Sequence, residues 1–189
     1  MTTEPVDQLS AALNATGQLI AAVADEQWAH PTPCPKWNVR DLVTHVIIGN
    51  YMFAGILHGA PPAAAQDTFR ADNDLLSAYH DSAGLLLTAF RSPGVLERVF
   101  TVPFGSVPGI VALHLRITEV LVHGWDVARA TGQPATFPED LADQELTFSR
   151  SKLAEIPSDR SPFAPPQPVA DNAPAIDRLA ACLGRDVTP

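Results

Sequence analysis

The chain has 189 residues, of which 46% are hydrophobic and 17% are charged, and this composition is typical of a globular protein with one sizeable core. Its formal net charge of −9 argues against nucleic acids and anionic membranes as partners, because both attract clustered Lys and Arg. No apolar run reaches the roughly 20 residues of a membrane-spanning helix.

The N-terminal part of the sequence predicts two helices separated by a proline-rich turn. Residues 7–25 combine spaced leucines with alanines, and they lack the basic start and the apolar core of a signal peptide. The prolines of "HPTPCPKW" end this first helix. Asn38, with Asp41 three residues later, is typical of a capping box and begins a second helix that ends near Gly59 and Pro61.

The middle of the sequence predicts three further helices and a short hairpin. Apolar residues recur at helical spacing over about 66–91. The stretch "GVLERVFTVPFGSVPG" is rich in β-formers and turn residues, which predicts a short β-like hairpin near 95–108. A fourth helix begins near Pro108 and stops at Gly132, and another covers 138–154. Long helices with short connections, and no alternation of strands and helices, predict an all-α bundle.

The C-terminal part is rich in proline and ends in a short amphipathic stretch. It is either disordered or an extended segment that packs on the bundle, and apolar residues such as Ile176 and Leu179 favour packing. We therefore expect one domain over 1–189, with its core at about 7–155 and a packed tail at 156–189.

The segment "RITEVLVHGWDVARATG" carries charged side chains within an otherwise apolar helix. Arg116, Glu119, His123 and Asp126 recur every three or four residues, so they lie on one stripe. Charged groups are costly to bury unless they are paired or bind a ligand. Glu119 and His123 are four residues apart, with Cβ atoms about 5–6 Å from each other, and can reach the same ion.

His45 lies within the apolar stripe of the second predicted helix. A histidine that faces a Glu/His pair across a bundle is a common way to build a metal site. Two histidines and one glutamate leave a coordination position open, as in catalytic zinc sites. The alternative is that Glu119 and His123 form an ordinary surface pair while His45 is a hydrogen-bonded core residue. Spacing alone does not decide between them.

Two sequence blocks, "TPCPKWNVRDLVTHV" and "EVLVHGWDVARATGQ", together resemble the metal-binding domain shared by mycothiol-dependent maleylpyruvate isomerases and DinB-like bundle proteins. In that superfamily, a histidine of the second helix joins two ligands spaced four apart on a later helix, and these positions match His45, Glu119 and His123. The ending "DRLAACLGRD" is similar to a smaller, uncharacterised group from mycothiol-using bacteria. The resemblance implies a DinB-like four-helix bundle, a divalent metal ion and mycothiol as a co-substrate.

The resemblance is incomplete at the C-terminus. The isomerase has a further C-terminal domain that contributes to its active site, and the residues after Gly132 do not resemble that domain. The resemblance therefore supports a metal and a low-molecular-weight thiol more than it supports maleylpyruvate as the substrate. Zinc suits the ligand set best, although nickel, iron and manganese fit the same residues.

Two charged residues flank the predicted ligands. Asp126 either accepts a hydrogen bond from a ligand histidine and fixes its tautomer, or forms an ion pair with Arg116 or Arg129. Arg116 either binds an anionic ligand or neutralises the acidic site. Trp125 points away from the stripe, and Trp37 is expected to anchor the loop before the second helix.

Cys34 precedes the second helix, where the helix dipole favours a thiolate. That position is compatible with a ligand, a nucleophile or a redox thiol, but a cysteine between prolines is more often a small buried residue. We leave it out of the predicted site. Cys34 and Cys182 are too few for a disulfide framework, so we expect a reducing cytoplasm.

Three functions remain open. The first is an enzyme whose metal ion activates a thiol for transfer, isomerisation or addition on a small molecule. The second is a metal-dependent hydrolase that uses water. The third is a non-catalytic protein that binds a metal or a small ligand, and it predicts a fourth protein ligand. The sequence offers no clear fourth ligand, which favours an enzyme. Whether the protein is a monomer or a homodimer is left open.

Overall fold

The computed structural model of the chain describes residues 4–61, 74–103, 105–156 and 163–188. Its helices are α1 (Pro5–Ala21), α2 (Val39–Leu57), α3 (Leu75–Phe90), α4 (Gly109–Thr131), α5 (Glu139–Ala154) and α6 (Ala175–Cys182). A short 3-10 helix (Asp25–Ala29) follows α1, and the strands β1 (Val99–Val102) and β2 (Gly105–Pro108) lie between α3 and α4.

Helices α1 to α4 form a bundle around one apolar core. In this bundle α1 packs on α4 and on α3, while α2 packs on α3 and on α4. Helix α5 packs against the outer side of α4, and α6 contacts both α5 and α4. The predicted all-α bundle is therefore confirmed. No helix in the described part of the chain combines the length and the apolar character that crossing a membrane requires.

The hairpin is a two-stranded antiparallel sheet, as predicted. Val99 pairs with Pro108 and Val102 pairs with Gly105. Pro108 also precedes the first residue of α4, so the hairpin leads directly into the long central helix.

Two predicted helix boundaries differ from the structure. The first helix was predicted over 7–25, but α1 ends at Ala21, and the extended backbone of Ala24 separates it from the 3-10 helix. The third helix was predicted from about residue 66. It begins at Leu75, where the side chain of Asp74 accepts a hydrogen bond from the amide of Leu76. The predicted residues 66–73 lie outside the described ranges.

The C-terminal segment, described over residues 163–188, contacts the bundle through α6. Ile176 and Leu179 are buried, and the indole Nε1 of Trp125 on α4 donates to Asp177 Oδ1 at 2.7 Å. The organisation of residues 1–189 as one domain stays a prediction.

The start of α2 is fixed by the predicted capping box. Asn38 Oδ1 accepts a hydrogen bond from the amide of Asp41 at 2.9 Å, and Asp41 Oδ2 accepts one from the amide of Asn38 at 3.4 Å. Both bonds satisfy amides that the first turn of a helix leaves without partners. Because the start sets the helical phase, it also sets the direction of His45, two turns further along α2.

We expect Asn38→Ala to lower the free energy of unfolding by about 1 kcal/mol, since the cap is lost. Asn38→Ser, which keeps a capping oxygen, should retain most of the stability. Urea unfolding followed by circular dichroism measures both variants. Equal stability of the alanine and serine variants would contradict a capping role.

Candidate metal centre

The structure brings His45, Glu119 and His123 together at the contact of α2 with α4. Glu119 Oε2 lies 3.3 Å from His45 Nε2 and 3.5 Å from His123 Nε2. The three candidate ligand atoms all lie within 4.8 Å of one another. We call these residues the His₂Glu cluster. Among the described residues it is the one group of three or more His, Cys, Asp or Glu side chains that meets this distance.

The His₂Glu cluster has a buried side and an open side. The His123 side chain is 6% exposed, whereas those of Glu119 and His45 are 31% and 39% exposed. The core therefore holds one imidazole in place, while the other two groups are partly exposed to solvent.

Trp37 forms one wall of the cluster. Its ring stacks on the His45 imidazole with centroids 4.3 Å apart and an interplanar angle of 30°, and it meets His123 edge-on at 5.9 Å. The backbone carbonyl of Trp37 accepts a hydrogen bond from the Thr32 hydroxyl at 2.8 Å, which braces the loop. The sequence predicted a loop anchor here and missed the contact with the site. The one available signal was the position of Trp37 directly before the helix that carries His45.

Asp126 lies directly behind His123. The Nδ1–H of His123 donates to Asp126 Oδ2 at 3.1 Å, so that Nε2 is turned toward Glu119. The predicted alternative, an ion pair of Asp126 with Arg116 or Arg129, is wrong. The Asp126 carboxylate instead accepts hydrogen bonds from the guanidinium of Arg185, at 3.0 and 3.4 Å. Nothing in the local sequence pattern signalled this distant arginine.

Arg116 points into the bundle and not toward an outside ligand. Only 2% of the residue is exposed, and its Nη2 donates to Asn50 Oδ1 at 2.8 Å. Its Nη1 lies 3.8 Å from Glu119 Oε2, and its guanidinium lies over the Phe53 ring at 5.3 Å. A Cβ atom at Gly49 would lie 2.6 Å from Nη1, so the absence of a side chain there makes room for the arginine. Of the two alternatives for Arg116, this geometry favours neutralisation of the site.

Charge within the cluster favours an ionised glutamate and a protonated histidine. Burial opposes ionisation of Glu119, but hydrogen bonds from His123 and His45 and the charges of His123 and Arg116 lower its pKa well below the ordinary value. Burial likewise opposes protonation of His123, yet its hydrogen bonds to Asp126 and Glu119 raise its pKa. In the structure, Nδ1 of His123 faces the Asp126 carboxylate and Nε2 faces the Glu119 carboxylate.

Cys34 and His114 lie outside the cluster. Burial is the main cause that raises the pKa of the Cys34 thiol. Arg185 opposes this effect, while Asp126 and Glu119 add to it. The thiol is thus protonated at neutral pH, which disfavours a role as nucleophile. His114 Nδ1 lies 2.7 Å from Glu145 Oε1, so it is paired with α5.

A family model described as the mycothiol maleylpyruvate isomerase N-terminal domain matches residues 9–128, which is more than half of the chain. The chain belongs to this family. The matched residues include the whole His₂Glu cluster.

Two relatives support the membership along nearly the full length. They are uncharacterised proteins from two strains of Mycobacterium tuberculosis, each 35% identical to this chain over 187 residues. The aligned part covers 97% of this chain and 99% of each relative.

Solved structures within the family share the fold. The crystal structure of the mycothiol-dependent maleylpyruvate isomerase matches with a TM-score of 0.60 at 20% identity, over 77% of this chain and 70% of that chain. A histidine-to-alanine mutant of that isomerase gives the same TM-score at 19% identity. The predicted DinB-like helical fold is thereby confirmed.

In the metal-free protein, the contribution of Glu119 and His123 to stability should depend on pH. The raised pKa of His123 stabilises the fold below the ordinary value of 6.5, and this effect is lost as the pH rises through the raised pKa. The lowered pKa of Glu119 stabilises the fold above the ordinary value of 4.5, and this effect is lost at lower pH. Both contributions are therefore complete between pH 4.5 and 6.5.

Urea unfolding of chelator-treated wild type and Glu119→Gln, measured from pH 4 to pH 8, tests this pH dependence. The stability difference between them should be largest inside the window and smaller on both sides. Glu155→Gln, which changes an exposed glutamate at the end of α5, is the matched control. A difference that stays constant from pH 4 to pH 8 would mean that the two groups are not coupled.

Proposed function

We propose that this protein is a metal-dependent enzyme that activates a low-molecular-weight thiol for transfer, isomerisation or addition on a small molecule. The observation that carries the proposal is the convergence of His45 Nε2, Glu119 Oε2 and His123 Nε2 from two helices on one partly open point.

The donor set fits a divalent ion. Two imidazole nitrogens and one carboxylate oxygen suit zinc, and nickel, iron and manganese accept the same groups. The hydrogen bond from His123 Nδ1 to Asp126 supports this assignment, because histidine ligands usually donate their second N–H to a carboxylate or carbonyl oxygen. Among the described residues, no fourth His, Cys, Asp or Glu joins the cluster, which favours an open coordination position over a closed structural site.

Each neighbouring residue has a defined task in this proposal. A bound ion would lower the pKa of a coordinated thiol and so supply a nucleophile near neutral pH. Asp126 keeps a proton on His123 Nδ1 and leaves Nε2 free for the ion. Arg116 lies 3.8 Å from Glu119 Oε2 and adds a positive charge that favours its ionised form, beside the larger effects of His123 and His45. Trp37 covers one face of His45 and limits the access of water from that side.

A thiol is preferred to water because of the family to which the chain belongs. Metal-dependent hydrolysis requires the same open position and is the second candidate. A non-catalytic role in binding a metal or a small ligand is the third. Maleylpyruvate is not proposed as the substrate, because the chain covers 70% of the isomerase chain and not its full length.

We expect the protein, purified without a nickel column, to contain about one divalent ion per chain. His45→Ala, Glu119→Ala and His123→Ala should each lose most of this metal. His80→Ala removes an exposed histidine of α3 and should retain it. Elemental analysis measures all four variants. Stoichiometric metal in any two of the three cluster variants would contradict the assignment of the ligands.

A small thiol should bind directly to the metal. In cobalt-substituted protein, the addition of mycothiol or a simpler analogue should produce a sulfur-to-metal charge-transfer band and release a proton near neutral pH, because a coordinated thiol is deprotonated.

Spectral titration and turnover assays distinguish the three candidate functions. A hydrolase would give no such band and would turn over an ester or an amide. Metal-loaded protein that shows neither the charge-transfer band nor hydrolysis would indicate the binding function.

A further inference from the structure

The end of α6 turns the chain back toward the bundle. Gly184 has a φ of 85°, a left-handed conformation that stops the helix. The amides of Gly184 and Arg185 donate to the carbonyls of Ala181 and Ala180, both at 3.0 Å. A Cβ atom at Gly184 would lie 2.7 Å from Ala164 Cβ, so the turn is closely packed. This geometry directs Arg185 away from the axis of α6.

Arg185 reaches Asp126 in the interior. Its Nη2 donates to Asp126 Oδ2 at 3.0 Å, and its Nε lies 3.4 Å from Oδ1. The Asp126 side chain is fully buried and that of Arg185 is 9% exposed. In the described part of the chain, Arg185 is the one Lys or Arg within ion-pair distance of Asp126. A buried carboxylate requires such a partner, because burial of an unpaired charge is costly.

The same Asp126 carboxylate accepts the Nδ1–H of His123 at 3.1 Å. A two-pronged contact from a planar guanidinium fixes the plane of a carboxylate, which a single donor does not do. The orientation of Asp126 in turn fixes the ring of His123. A continuous chain of hydrogen bonds therefore runs from the C-terminal segment to the cluster.

We propose that Arg185 is a positioning residue of the metal centre, which acts through Asp126 to hold His123 Nε2 toward the ion. The C-terminal segment is then part of the site and not only a cover for the bundle. This inference rests on the proposed metal function, but the link from Arg185 to His123 can be tested without metal.

Other contacts already attach the segment to the bundle. Trp125 donates to Asp177, and Arg178 pairs with Asp143 of α5 at 3.0 Å. Arg178→Ala is therefore a matched control, because it removes an arginine of the same segment without touching Asp126.

The test compares wild type with Arg185→Ala, Arg185→Lys and Arg178→Ala. Competition with a chromophoric chelator gives the zinc affinity. We expect Arg185→Ala to bind zinc about 10-fold more weakly, the lower end of the loss seen when a group bonded to a ligand histidine is removed, because Arg185 acts through Asp126. Arg185→Lys, which keeps the charge but not the two-pronged contact, should fall between this variant and wild type. Arg178→Ala should match wild type.

The second readout uses chelator-treated protein. In ¹H–¹⁵N spectra of the histidine rings, the His123 Nδ1 proton should be protected from exchange in wild type and Arg178→Ala. The signal of this proton should be lost or broadened in Arg185→Ala. If circular dichroism shows that Arg185→Ala is not folded, the zinc affinity and the His123 Nδ1 proton of Arg185→Lys are compared with those of wild type instead.

Wild-type zinc affinity together with a protected Nδ1 proton in the folded Arg185 variant would overturn the role of Arg185. A wild-type protein that binds no zinc would overturn the proposed metal function instead. The proton spectra of the metal-free variants would still decide whether Arg185 controls His123.

Discussion

The position of one oxygen atom, Glu119 Oε2, constrains most of the site. It lies between His45 Nε2, His123 Nε2 and Arg116 Nη1, at 3.3, 3.5 and 3.8 Å. A carboxylate at a contact between helices is stable there only because positive or proton-donating groups surround it. Gly49 leaves the space that one of those groups, Arg116, occupies. Loss of the Glu119 carboxylate would leave the buried Arg116 without the one carboxylate that lies within ion-pair distance of it in the described part of the chain.

The inner side of the site continues into a polar path across all four bundle helices. Arg116 donates to Asn50, Asn50 donates to the Ser82 hydroxyl at 3.1 Å, and Ser82 donates to the carbonyl of Tyr79 at 2.8 Å. The Tyr79 hydroxyl reaches the carbonyl of Leu13 on α1 at 2.8 Å. Burial is the main cause that raises the pKa of Tyr79 and keeps it a donor. Such connected groups define one relative placement of the helices, because any shift would leave a buried donor unsatisfied.

Local periodicity placed Glu119 and His123 together on one helix, because they are four residues apart. Spacing alone did not distinguish a metal site from an ordinary surface pair, and the family resemblance was needed to connect them with His45 of the apolar stripe. Trp37 and Arg185 could not be found in this way, because their contacts depend on how a proline-rich loop and a distant turn fold back. The end of α1 was missed for a related reason. Alanine has a high helix propensity, so residues 22–25 contained no local stop signal.

The return of the chain from α6 to α4 also has a consequence for biosynthesis. The residues of α2 and α4 that form the cluster are translated well before Arg185. At elongation rates of about 5–20 residues per second, Asp126 is made several seconds before Arg185, which lies 59 residues further along the chain. During that time the Asp126 carboxylate lacks its guanidinium partner. The hydrogen bonds behind His123 can therefore be completed only after the segment that carries Arg185 has been synthesised.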